Sequence, residues 1–280
     1  MTRSGHRRSA VFAAAVLLVG AGAASAASAA GLVPPRDPTS NIAPIPDYNI
    51  VAGRPYAEGS PLPTCWAWRD GRLAIHPQSA ACVRAEIEAT NHARRREGVG
   101  AFTLPRNFAL LGVDEQLLVL VDLERVARGE VPVLGLSQTA NVMAQRGALA
   151  NQDPTLSTPR DIAGATGGWM ANWAAAESSL DANYSWMYVD GWGGKGGTIN
   201  FTCTSPSARG CWGHRNNILV NSTTLPCYAD HCSLVMGAGY APHNWDVYNS
   251  YSELIVQVAG TTPPALMYTW HQALAAGARP

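Results

Sequence analysis

The chain has 280 residues, 47% of them hydrophobic and 14% charged, and its 20 basic and 20 acidic side chains sum to zero formal charge at neutral pH. That apolar share is enough for a buried core and argues against disorder. The sparse, balanced charge lacks the clustered basic footprint of a nucleic-acid binder, so no nucleic-acid partner is expected.

In chain order, Arg3, Arg7 and Arg8 precede an apolar run from Ala10 to about Ala24, followed by small residues. This is the pattern of an export signal over residues 1–30. The run falls short of the roughly 20 apolar residues of a membrane helix, so no stable membrane span is expected once the signal is removed. Export to an oxidising compartment makes disulfides the expected state of the six cysteines. They fall into three local couples, Cys65–Cys82, Cys203–Cys211 and Cys227–Cys232, and none has the CxxC spacing of a zinc knuckle.

Residues 31–64 are proline-rich with almost no apolar period, and read as a linker or a strap. The segment 65–112 opens with Trp66 and Trp68, stapled by Cys82, and a helix is expected from about Ala81 to Glu97 with Val83, Ile87 and Asn91 on one face. Arg94-Arg95-Arg96 read as its solvated side. The strongest helical pattern is VDEQLLVLVDLERVARG from Val113, with acids in the first turn, Leu117, Leu118, Leu120 and Val121 inward and Gly129 past its end. Ser137 is placed to cap a second helix with the small-residue face Ala140, Met143, Ala144 and Gly147. Beyond the glycines at Gly164–Gly168, a third helix is expected from Leu180 to Asp190, with Tyr184, Met187 and Tyr188 as a core stripe. GWGGKGG, residues 191–197, reads as a flexible connection without a nucleotide-binding signature. Leu234–Tyr240 and Tyr251–Val258 read as strands, and the tail, 261–280, as a surface segment.

The stretch CWGHRNNIL, Cys211–Leu219, gathers an indole, an imidazole and a guanidinium on a short turn. The box Gly213–Leu219, with DLERVARGEVPVLGL and Trp186-Met187 before it and Met236–Gly239 and Val256-Gln257-Val258 after it, resembles the CAP superfamily. That superfamily comprises the domain of cysteine-rich secretory proteins, venom antigens and class 1 pathogenesis-related proteins, and the likeness is to its bacterial secreted branch, over residues 113–260. The resemblance implies an α+β fold, an α-β-α sandwich with a small antiparallel sheet between helices, to which 65–112 adds an N-terminal helical extension.

The resemblance also implies a cleft with two histidines and two glutamates, in some members binding zinc or another divalent ion. Of these four only His214 is matched. The polar stretch near Asp153 has no histidine, Ala171 stands where one glutamate belongs, and Val235 where the other does. One imidazole does not hold a divalent cation, so no cofactor is expected and His214 would be a ligand only if others converge. Glu253, Glu177 and Asp181 are the replacement candidates, with His231 and His243 behind them.

Two functional readings follow. In the first, the protein is a non-catalytic binding module, and Trp173, Trp186, Trp212, Arg215 and Asn216 form a cleft for an extracellular or cell-surface component, a lipid, a sterol or a polysaccharide. The second is hydrolysis, with His214 as general base or metal-bound and Glu253 orienting it. No GxSxG, HExxH or Ser-His-Asp pattern is present to strengthen the second.

Overall fold

The computed structural model describes residues 65–69, 72–75, 79–193, 200–229, 231–245, 248–260 and 264–280. The expected signal at 1–30, the linker at 31–64 and residues 194–197 of the glycine-rich connection lie outside them. The elements are β1 (Trp66–Arg69), β2 (Arg72–Ile75), α1 (Ala80–Arg96), α2 (Val113–Ala127), α3 (Gln138–Ala150), β3 (Ala165–Ala176), α4 (Ser179–Tyr188), α5 (Gly213–Ile218), β4 (Cys232–Trp245), β5 (Tyr248–Ala259) and α6 (Trp270–Ala275). β1 and β2 form an antiparallel hairpin, and β3, β5 and β4 form an antiparallel sheet in that order.

The sheet has two buried faces because side chains alternate along each strand. On one face Val235, Leu254, Val256 and Val258 pack against Ala140, Met143 and Ala144 of α3, and the Ser250 and Ser252 hydroxyls donate to the α3 carbonyls of Ala148 and Ala144. A methyl group at Gly237 would lie 2.0 Å from the Ala140 carbonyl carbon, so this close helix–strand approach needs glycine on the strand as well as small residues on the helix. On the other face Met236, Ala238, Tyr251 and Ile255 join the core built by α2 and α4. The fold is α+β, with a small antiparallel sheet between helices.

α2 and α4 fill the middle of that second layer. From Gln116 to Arg125 every residue of α2 is buried, and so is every residue of α4. The Ser178 hydroxyl caps α4 by accepting the Asp181 N–H at 3.0 Å, as Ser79 caps α1 through Cys82 N–H at 3.1 Å. Ser137 precedes α3 but makes no side-chain cap. Arg125 ties the end of α2 to the turn after α5, donating to the carbonyls of Ile218 at 2.5 Å and Val220 at 2.9 Å.

Three expectations change. α1 turns a different face inward, burying Cys82, Glu86, Ala89, Thr90, Ala93 and Arg94. Arg94 is therefore not on a solvated face: its guanidinium meets Glu124 at 2.9 Å. β3 is not among the expected strands, because seven of the twelve residues of ATGGWMANWAAA are glycine or alanine and Thr166 is its one β-branched residue. The tail is not a surface segment either. Tyr268, Trp270, Ala273 and Ala278 are buried, Gly135 bridges to Thr269 and Thr103 to Arg279.

The three expected disulfides, Cys65–Cys82, Cys203–Cys211 and Cys227–Cys232, are all formed. No described helix is long and apolar enough to cross a membrane.

Candidate functional site

α5 starts abruptly. Trp212 adopts a left-handed backbone with φ of 62°, uncommon for a bulky side chain, and its buried ring lies over Gly191, where any side chain would collide with it at 2.2 Å. The sharp turn sends His214 and Arg215 in different directions. Arg215 is buried, donates to the Met187 carbonyl at 2.7 Å and pairs with Glu97. The His214 side chain keeps 21% exposure and lines a cleft of about 570 Å³.

The ring is held by Asp190, just past the end of α4. Nδ1 of His214 lies 2.7 Å from Asp190 Oδ1. Asn200 donates to the same oxygen at 2.6 Å, and the Arg215 N–H to Oδ2 at 3.1 Å. An acceptor-only carboxylate fixes the tautomer: Nδ1 carries the proton, and Nε2 faces the cleft, 3.8 Å from Asp153 Oδ1. Burial works against a charged ring. The hydrogen bond and charge of Asp190, with Asp153 and Glu253 further away, outweigh it, so His214 titrates above its ordinary value.

Glu253 does not orient the ring. It sits behind it on β5, accepts from the Asn172 amide at 2.7 Å, and that amide also donates to the His214 carbonyl at 2.9 Å. Burial pushes the Glu253 carboxyl up to about 8, against the opposing pull of Asn172, His214 and Arg125. Glu253 is thus a neutral-leaning structural acid that supports the backbone of α5.

The cleft wall is mixed. Trp173 and Trp245 stand edge to face with centroids 5.2 Å apart, Phe201 and Tyr248 add aromatic surface, and Asn151, Gln152, Asn200 and Thr202 add hydrogen-bonding groups. Asp153, exposed at the cleft, accepts the Trp173 backbone N–H, and its carboxyl is raised by partial burial and by Asp190, with His214 and that hydrogen bond pulling it back. Asp181 also lines the cleft although it is 2% exposed; Oδ2 accepts the Glu177 N–H at 2.9 Å, and burial pushes the carboxyl up to about 7. The Cys203–Cys211 bridge closes the loop that directly follows Asn200, Phe201 and Thr202, and Asn200 is tied to that loop by donating to the Gly210 carbonyl at 2.8 Å.

Of the residues expected at the cleft, Trp173, Trp186 and His214 line it, Trp186 with little surface and with its indole N–H given to the Trp173 carbonyl at 3.0 Å. Trp212 and Arg215 are buried behind it, and Asn216 is exposed on the far side of α5 and does not line it. His231 and His243 are exposed and do not line it. Asp190 and Asp153, the two acids that face the imidazole, were not singled out from sequence. Each is a lone acid in a loop, and no spacing marks it.

Among the described residues, few metal-ligating atoms meet at the His214 ring. His214 Nε2 and Asp153 make two ligands where catalytic zinc takes three from protein. Among the described residues the group with metal-like spacing is Cys65, Cys82, Glu86 and Glu177, and its two cysteines are bonded to each other. Comparison with protein-family models, with curated proteins and with solved structures gave no match.

Proposed function

We propose that the chain is an exported, CAP-like binding module whose cleft takes a stretch of extracellular polysaccharide. One observation carries the reading: the same cleft is lined by Trp173, Trp245 and Tyr248 beside Asn151, Gln152, Asp153, Asn200 and Thr202. Sugar rings offer flat C–H faces to aromatics and equatorial hydroxyls to amides and carboxylates, and a volume of about 570 Å³ accommodates a few rings. A sterol or acyl chain would meet Asp153 at the wall and leave its charge unmatched. The export-signal pattern of residues 1–30 and the three disulfides support action outside the cell.

Calorimetric titration of the purified chain with oligosaccharides, a sterol and a short-chain phospholipid tests this. Binding of an oligosaccharide, weakened about tenfold or more in Trp245→Ala, is the expected result. Binding of the sterol or lipid with no saccharide bound would overturn it.

Hydrolysis is the second reading, favoured by the Asp190–His214 pair with Nε2 turned to the cleft. In that arrangement His214 takes a proton from an attacking water while Asp190 stabilises the imidazolium. Turnover of polysaccharide or peptidoglycan fragments that falls at least a hundredfold in His214→Ala is expected if it holds; identical background rates in both proteins remove it.

A further inference from the structure

We propose, resting on the saccharide reading of this cleft, that the ligand carries an ammonium group, as a de-N-acetylated amino sugar does. Among the described residues, the cleft wall contains three carboxyl groups, Asp153, Asp181 and Asp190, and no lysine or arginine. Asp190 is committed to His214, Asn200 and the Arg215 N–H, so its charge is matched when the imidazole is protonated. The other two are only partly engaged, Asp153 by the Trp173 backbone N–H and Asp181 by the Glu177 N–H on Oδ2. Asp153 is open to the cleft at 57% side-chain exposure, and Asp181 is buried with Oδ1 lacking any hydrogen-bond partner.

A buried carboxyl oxygen without a partner is a costly feature that holds Asp181 toward its protonated form until a ligand supplies donors and an opposite charge. A sugar hydroxyl supplies a donor without charge; an ammonium supplies three donors and the counter-charge together. The aromatic pair adds a second, independent preference for a cation. Trp173 and Trp245 meet at 69°, two walls of a corner in which a cation can lie against an indole face, and Trp245 keeps 42% of its surface exposed. Carboxylates beside an aromatic corner select an amine over a neutral sugar hydroxyl or an N-acetyl group, which has lost the charge.

The test is calorimetry on the full chain at about pH 7 with three oligomers of equal length, glucosamine, N-acetylglucosamine and glucose, and with tetramethylammonium as a cation that is not a sugar. The glucosamine oligomer is expected to bind about tenfold or more tighter than the other two, with an advantage that shrinks in high salt. In Asp153→Asn and Asp181→Asn that advantage is expected to collapse to about twofold while binding of the N-acetylated oligomer persists. Asp153 is exposed enough that its amide variant keeps the fold, which a melting curve checks. Equal affinity for all three oligomers, or an amine preference unchanged in both variants, overturns the ammonium inference and leaves the saccharide reading standing. Binding of tetramethylammonium with no oligomer bound supports the cation corner and overturns the saccharide reading. If nothing binds, both fall.

Discussion

His214 and Arg215 are neighbours on one turn of α5, yet their side chains enter two polar regions with opposite character. Arg215 joins a network in which each charge touches an opposite one: Glu97 takes Arg215 and Arg128, and Glu124 takes Arg94, Arg128 and the Tyr188 hydroxyl. This network fastens the extension helix α1 to α2 and α5 at their buried ends. His214 enters a cleft where only one of the surrounding carboxyls, Asp190, is fully engaged by donors. Charge that is answered within the fold holds the fold together; charge left open at a wall is available to a ligand.

The two regions respond to pH in opposite senses, and this is the largest effect expected. On the cleft side, Asp181 is raised to about 7 and Glu253 to about 8, both by burial, and His214 is raised as well. The native state holds these protons more tightly than the unfolded chain, so stability is greatest in mild acid and is lost as pH rises through each folded value. Glu124 has the reverse sign: burial opposes its charge, but Arg128 and Arg94 outweigh it and lower its pKa. Its contribution is present above the ordinary carboxylate value and is lost as pH falls through the lowered one. Urea unfolding should therefore show stability falling on the order of 5 kcal/mol from about pH 5 to about pH 8, with the drop roughly halved in Glu253→Gln. A flat profile, or a rise, would contradict the account of the cleft-side acids.

Next in size is Glu124→Gln, which leaves Arg94 and Arg128 without their shared counter-charge. A loss of about 3–5 kcal/mol is expected from denaturant titration, whereas His214→Gln, on the open side, should cost about 1 kcal/mol. Removing the Cys203–Cys211 bridge by paired serine substitution should cost about 2–3 kcal/mol and weaken saccharide binding, because Asn200, Phe201 and Thr202 lose their fixed place at the wall. A small effect on stability, about 1–2 kcal/mol, is expected for Asp190→Asn. That substitution should still move the ring: an NMR titration of His214 is expected to show its pKa falling, and an unchanged pKa would remove Asp190 as the group that holds it.

The elements that could be read from the sequence are those whose own residues carry the signal. α2 declares itself by apolar period, first-turn acids and a terminal glycine, and β5 by alternation. β3 does not, because its glycines and alanines have no propensity to display and its place depends on pairing with β5. The tail was misread for a similar reason: α6 spans only Trp270–Ala275, too short for a period, and its burial comes from a bridge to Gly135 across the molecule. At the cleft, His214, Trp173 and Trp186 were legible as unusual side chains near a distinctive box. Arg215 looked like a ligand-facing cation and instead closes an ion network with the extension. Asp190, 24 residues from His214, becomes its partner only once α4 and α5 are packed.

The most direct measurement is the indole N–H spectrum of the protein as a glucosamine oligomer is added. The Trp173 and Trp245 signals are expected to shift together with the His214 ring while that of the buried Trp212 stays in place. Shifts confined to Trp212 or to Trp169, an exposed residue of β3, with Trp173 and Trp245 unmoved, would place binding elsewhere and contradict the saccharide reading of the cleft.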